Sequence, residues 1–322
     1  MVVGGHPLHD LVVDLAGELR AEVLPELGRP RGREHAGDGA GGDVTFAIDE
    51  RAEARMEAFL AERAPEVAFY SEDRGMVTPG GEPCWVLVVD PIDGTRPALA
   101  GLESACVSVA AAPLDGEPTM ADVEVGCVVE IKSGARFLAI RDGGVEPAPA
   151  LSAQTEIERM LWTYGFRGRP VVPTALVIEE LIDASSVAGG TFDLGSATFD
   201  MTRLLTGQLD AYVEPGPRMI EEAPWVRGEF ERVGRGAILN NSPYDLAAAA
   251  LILEEAGAIV TDAAGAPLSG RPLLGSGHEF QMSCVCAATP ELHAAIVASL
   301  DAGIERLRAA GPGPGHRSGT KG

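Results

Sequence analysis

The apolar run Trp85-Val-Leu-Val-Val ends in Asp90 and is followed at once by Pro91-Ile92-Asp93-Gly94-Thr95. Such a run reads as a buried strand, so the turn after it sets two carboxylates and a hydroxyl at the strand's C-terminal end, where α/β folds place their active sites. Three residues apart across a tight turn, Asp90 and Asp93 can converge on one or two hard cations, because carboxylate and carbonyl oxygens are the ligands magnesium prefers. Taken alone, the same residues also fit a surface turn in which Asp, Pro and Gly only shape the backbone.

The elements around this segment follow from periodicity. Leu8, Leu11, Val12, Leu15, Leu19 and Val23 recur at helical spacing behind Pro7, and Ile48, Ala52, Met56, Phe59 and Leu60 mark a second helix starting at Asp49 or Glu50. Between them the glycine-rich stretch 28–42 has no apolar period and reads as a mobile loop. Strand patterns follow at Val67–Tyr70, Trp85–Val89, Ser104–Ala112, Glu124–Ile131 and Arg136–Ile140, which makes the first half α+β. The rhythm changes at about residue 150. Helix patterns at 175–183, 196–206 and 244–256 then alternate with apolar runs at 259–261 and 282–288, an α/β arrangement. Thr289, Pro290 and Glu291 cap and open a terminal helix reaching about Ala310. The division expected is therefore 1–150, 151–310 and a disordered tail, 311–322.

With 322 residues, 46% of them hydrophobic and 23% charged, the chain has the make-up of a globular enzyme of about two domains. Its 25 basic and 48 acidic residues leave a net charge of −23, which disfavours nucleic acid and anionic membranes as partners and suits a protein that gathers cations. The five cysteines lie mostly in apolar stretches without zinc spacing and read as buried reduced thiols. No secretory signal or transmembrane run is apparent, so a cytoplasmic location is expected.

Asp90-Pro-Ile-Asp93-Gly94-Thr95 resembles the signature of the inositol monophosphatase family, within the magnesium-dependent, lithium-sensitive phosphatases that include fructose-1,6-bisphosphatases. The likeness continues in order along residues 8–305. Asp43-Val-Thr-Phe-Ala-Ile-Asp49 with Glu53, Ser71-Glu72-Asp73, the 125–139 hairpin, Gly195-Ser196-Ala197, Leu209 to Glu214, and Tyr244-Asp245 with Glu255-Ala-Gly257 are each similar to a family segment. The resemblance implies a layered αβαβα sandwich and a homodimer. It implies hydrolysis of inositol monophosphate or a related sugar or polyol phosphate, a small-molecule phosphate ester. Two or three Mg2+ ions would be held by Glu72, Asp90, the Ile92 carbonyl, Asp93 and Asp245, with Asp49, Thr95 and Glu72 as catalytic groups. Gly94 and Thr95 would hold the phosphate, and Gly195, Ser196, Ala197 and Glu214 would face the alcohol. Asp245 also reads as a first-turn helix acid and Ser196 as a helix cap.

Three departures bear on the substrate. Arg96-Pro-Ala-Leu99 follows Thr95 where the family has Thr-x-Asn-Phe, and only Arg31, Arg33 and His35 precede Asp43 where the family often has a lysine. The segment from Pro215 to Tyr244 is long, and its Arg218 could hold a second phosphate bidentately. Fructose 1,6-bisphosphate or an adenosine 3′,5′-bisphosphate is therefore an alternative substrate. A regulator that binds metal and sugar phosphate without turnover is an alternative of another class.

Overall fold

The computed structural model describes residues 5–29, 34–38, 44–78 and 80–311. Helices α1 (His9–Val23) and α2 (Ala47–Arg63) pack together and bury the faces their periodicity marks, Val12, Leu15 and Leu19 on one and Ala52, Met56 and Leu60 on the other. Helix α2 begins at Ala47 rather than at Asp49, because the Asp49 carboxylate reaches back to accept the Phe46 N–H at 2.8 Å and so becomes the third helical residue. Of the 28–42 stretch, residues 30–33 and 39–42 lie outside the described residues, as do Asp43 and the tail 312–322. Its middle is not a loop: β1 (His35–Asp38) pairs antiparallel with β2 (Val44–Phe46), a backbone pairing that apolar periodicity cannot show.

Under these helices lies a mixed sheet of β3 (Ala68–Ser71), β4 (Gly75–Val77), β5 (Trp85–Asp93), β6 (Cys106–Pro113), β7 (Val125–Glu130), β8 (Arg136–Ile140) and β9 (Gly144–Glu146), in the order β4-β3-β5-β6-β7-β8-β9. Only the β3–β5 pair is parallel within this sheet. Strands β5 to β7 are buried on both faces, which is why they read as continuous apolar runs without alternation. On the far face sit α5 (Ala197–Leu205) and α8 (Pro243–Ala256). Helix α8 is buried almost all round from Leu246 to Leu253, since it is packed between two sheets.

The second sheet has the order β11-β10-β12-β14-β13, from β10 (Leu161–Tyr164), β11 (Gly190–Phe192), β12 (Ala211–Glu214), β13 (Ile259–Thr261) and β14 (Cys284–Ala287). The outermost layer is α4 (Val171–Ser185), α6 (Gly216–Glu222), α7 (Arg227–Val233) and α9 (Pro290–Ala310). Helices α4 and α9 approach so closely at Gly303 that a Cβ there would lie 2.1 Å from the Val177 carbonyl oxygen. The architecture is thus the layered αβαβα sandwich. The strands divide at about residue 150, while the core between the sheets draws on both halves, Ala110 and Val128 meeting Leu246, Leu253 and Cys284.

Strands β10 and β12 are only four residues long, with β12 wholly internal and β10 internal apart from Leu161, so no period separates them. The long segment after Glu214 is largely helical, as α6 and α7, instead of a loop. Its arginines meet the interleaved acids, Arg227 with Glu231 and Arg232 with Glu229. Four cysteines are buried free thiols, but Cys84 is exposed, because it precedes the first internal residue of β5. Among the described residues no helix is long and apolar enough to cross a membrane.

Candidate active site

The ladder between β5 and β6 is regular down to Asp90 and breaks between Asp90 and Asp93, freeing the Pro91-Ile92 step to turn. Within it the Ile92 N–H donates to Asp90 Oδ1 at 3.0 Å, which pins the Asp90 carboxylate against its own turn. Gly94 follows with φ at 87°, and a Cβ there would meet the Ser104 carbonyl oxygen at 2.6 Å and Ser196 Cβ at 2.8 Å. Only glycine fits this corner. The chain then enters the short helix α3 (Thr95–Ala100).

Three elements bring acids to this corner. Asp90, Asp93 and Asp245 each offer an atom within 4.8 Å of the other two. Asp93 Oδ2 accepts from Ser196 Oγ at 2.8 Å, from the Thr198 N–H at 2.6 Å and from Thr198 Oγ1 at 2.5 Å, so the start of α5 fixes its orientation. Ser196 also caps α5, its Oγ accepting the Phe199 N–H at 3.1 Å, so both roles expected of it coexist. Asp245 likewise does two things: Oδ2 accepts the Ser242 N–H at 2.6 Å as a first-turn helix acid, while its carboxylate belongs to the acidic group. Glu72, in the turn after β3, lies near enough to Asp245 and Asp49 to be affected by their charge.

This concentration of charge shows in the ionisation of every member. Burial, reinforced by Asp245, Asp49 and Asp73, pushes Glu72 well above the usual carboxylate range. Burial with Glu72, Asp93 and Asp245 does the same to Asp90. Asp245 is raised to about 7 by burial and by Asp93, against the pull of the Ser242 N–H, Arg167 and Arg169. Asp93 is raised by burial despite the donors from Thr198 and Ser196. Desolvated carboxylates at such spacing are costly to ionise together unless a cation joins them. The donor set is all hard oxygen, so the residues present fit a divalent ion such as magnesium. Arg96 gives partial compensation: it lies over the Phe46 ring at 5.3 Å, and its charge acts on Glu72 and Asp49.

Beside the acids, Thr95 Oγ1 lies 3.2 Å from Asp49 Oδ1 and 3.2 Å from the Ile92 carbonyl oxygen, two acceptors for its one proton. Burial raises Asp49 to about 7. Glu53, on the next turn of α2, accepts from Ser71 Oγ at 2.9 Å and from the Asp73 N–H at 3.3 Å, and so braces the turn that carries Glu72.

A cavity of about 90 Å3 opens from Glu72, Asp93 and Asp245 toward the second sheet. Gly195, Ser196 and Ala197 line it as expected from the sequence. Glu214 does not. It is fully buried behind the wall, at the end of β12, where it is ion-paired with Arg169 and accepts the Gly216 N–H at 2.7 Å. Arg218 is also absent from the lining. Its guanidinium is consumed by Glu222 at 2.6 Å, Asp301 at 2.6 Å and the Ala263 carbonyl oxygen at 2.7 Å, which clamp α6 onto α9. In their place the wall carries Arg167, Arg169, Asp193, Asn240 and Gln281, none of them singled out from sequence for this role. The available signals were the Arg-Gly-Arg after an apolar Leu-Trp-Thr-Tyr run and the Asn-Asn before the Pro243 helix start.

Residues 7–305 match the sequence profile of the inositol monophosphatase family. The chain belongs to the inositol monophosphatase family. Among family relatives, the fructose-1,6-bisphosphatase/inositol-1-monophosphatase of Methanothermobacter thermautotrophicus is 29% identical over 303 residues, 90% of this chain and 95% of its own length. The inositol-1-monophosphatase of Mycobacterium leprae is 30% identical, over 87% of this chain and 86% of its own. An IMPase of Thermotoga maritima has the same fold, with a TM-score of 0.68 at 18% identity, covering 92% of this chain and 98% of that one. This inositol monophosphatase family member is accordingly a phosphoric monoester hydrolase by family.

Proposed function

We propose that the chain hydrolyses inositol monophosphate or a related small sugar or polyol phosphate to the alcohol and inorganic phosphate. The observation that carries this reading is the Thr95–Asp49 pair set beside the Asp90, Asp93 and Asp245 cluster. Magnesium held by Glu72, Asp90, the Ile92 carbonyl, Asp93 and Asp245 would supply the acidity of a bound water and offset charge on the leaving oxygen. The protein's own part is proton handling. With its hydroxyl proton directed to Asp49 Oδ1, Thr95 presents lone pairs that accept a proton from water as its own passes to the carboxylate. Burial, which favours the protonated form of Asp49, helps this carboxylate to receive that proton. The oxygen so released attacks phosphorus, the ester P–O bond breaks, and the departing alkoxide takes up a proton through solvent water to leave as the alcohol. The N–H groups of Gly94 and Thr95, where β5 turns into α3, would bind the phosphate, and Gly195, Ser196 and Ala197 would face the alcohol. The same reading carries a cytoplasmic homodimer inhibited by lithium, supported by the family resemblance alone.

Phosphate release from inositol 1-phosphate, fructose 1,6-bisphosphate and adenosine 3′,5′-bisphosphate tests it. Turnover is expected, with inositol 1-phosphate among the good substrates. No release from any of the three in the presence of magnesium would overturn the reading.

A further inference from the structure

The cavity wall formed by the stretch just before Asp245 and by Gln281 carries polar groups that the protein leaves unmatched. Asn240 is 8% exposed, yet neither its Oδ1 nor its Nδ2 meets a hydrogen-bonding group among the described residues. Gln281, equally buried, donates from Nε2 to the Ile238 carbonyl oxygen at 2.6 Å and leaves Oε1 without a donor. Both side chains line the same cavity. A buried amide with donor and acceptor both unmatched is costly and uncommon, so its persistence calls for a partner from outside the chain.

Charge at this end of the cavity says what that partner is. Arg169 is held by Glu214 behind the wall, and Arg167 lies on a wall that also carries Asp193 and Asp200, so the positive groups there are matched by acids. A second phosphate would gain little from so balanced a wall, whereas hydroxyl groups need only donors and acceptors. We propose that Asn240 and Gln281 are specificity-determining residues for a neutral, hydroxyl-rich alcohol moiety. The Asn240 amide accepts from one hydroxyl and donates to the adjacent one, and Gln281 Oε1 accepts from a third. The end of the long Pro215 to Tyr244 segment, together with Gln281, would then set the substrate. The proposal rests on the phosphatase reading for the position of the scissile phosphate.

The test compares wild type with Asn240→Ala on inositol 1-phosphate and on p-nitrophenyl phosphate, whose alcohol has no further hydroxyl. Loss of two hydrogen bonds should lower the kcat/KM ratio of inositol 1-phosphate to p-nitrophenyl phosphate tenfold or more, chiefly through KM. The thermal midpoint of the variant should stay level or rise, since the group removed has no partner in the protein. Myo-inositol with inorganic phosphate should raise the midpoint of wild type and not that of the variant. An unchanged ratio, or an equal loss on both substrates with a lowered midpoint, would overturn the proposal. So would a wild-type kcat/KM tenfold higher for fructose 1,6-bisphosphate than for inositol 1-phosphate. Wild-type failure to hydrolyse any of these esters would refute the phosphatase reading instead, and the myo-inositol shift would still decide the role of Asn240.

Discussion

Removing the Glu214 carboxylate strands a buried cation. Glu214 is wholly inaccessible and Arg169 is 7% exposed, so their ion pair has no solvent to replace either partner. Glu214→Gln isolates the charge, because the new amide can still accept the Gly216 N–H that Oε1 now accepts. Arg169 would keep the Arg167 carbonyl and the Asn241 side chain as acceptors, both neutral. Breaking one side of a buried pair costs about 3–5 kcal/mol, well beyond the ~1 kcal/mol of an exposed pair such as Arg227 with Glu231. Replacing both partners, Arg169→Met with Glu214→Gln, should recover most of the loss, since no buried charge then remains. Urea unfolding of wild type, both single variants and the double variant measures this directly. A loss under about 1 kcal/mol in Glu214→Gln, or losses that simply add in the double variant, would refute the reasoning.

Thr95→Ala should lower kcat by about 10²-fold while magnesium affinity, read by isothermal titration, stays near that of wild type. Equal loss of both would show that Thr95 acts through the cation site instead. The metal-free protein should lose stability as pH rises from about 4 to 7. Burial lifts Asp49 and Glu53 from their ordinary values of 3.8 and 4.5 to about 7, so the native state holds protons that the unfolded chain has released. Their stabilisation is complete below the unfolded values and lost through the folded ones, up to roughly 8 kcal/mol in all. Urea midpoints at pH 5, 6 and 7 in chelator should therefore fall, and midpoints that rise would contradict the burial argument.

Local signals were the most legible part of this chain. Thr289-Pro290-Glu291 opens α9 where capping chemistry places it, and Arg136–Ile140 and Ile259–Thr261 are strands at the expected residues. The acids of the cluster were also legible because Asp90 and Asp93 share one turn and Asp245 sits at a helix start. What was hidden depends on contacts between distant residues. From sequence Arg218 fits a second phosphate or a cation neutralised by neighbouring acids such as Glu222, and only the contact with Asp301, 83 positions away, shows what else holds it. Glu214 reads as a substrate contact until Arg169, 45 positions away, takes its charge. Strands as short as Leu161–Tyr164 carry too few residues for a period, and their burial comes from distant elements, α4 and α9 over one face and Asp200 of α5 bonded to Thr163 on the other.

The most direct measurement is inorganic phosphate release from inositol 1-phosphate by the purified protein, first stripped with a chelator and then titrated with magnesium. No release is expected from the stripped protein, with recovery on adding magnesium and no recovery in Asp90→Asn, whose carboxylate belongs to the acidic cluster. Full turnover in chelator, or unchanged magnesium-dependent turnover in Asp90→Asn, would contradict that expectation.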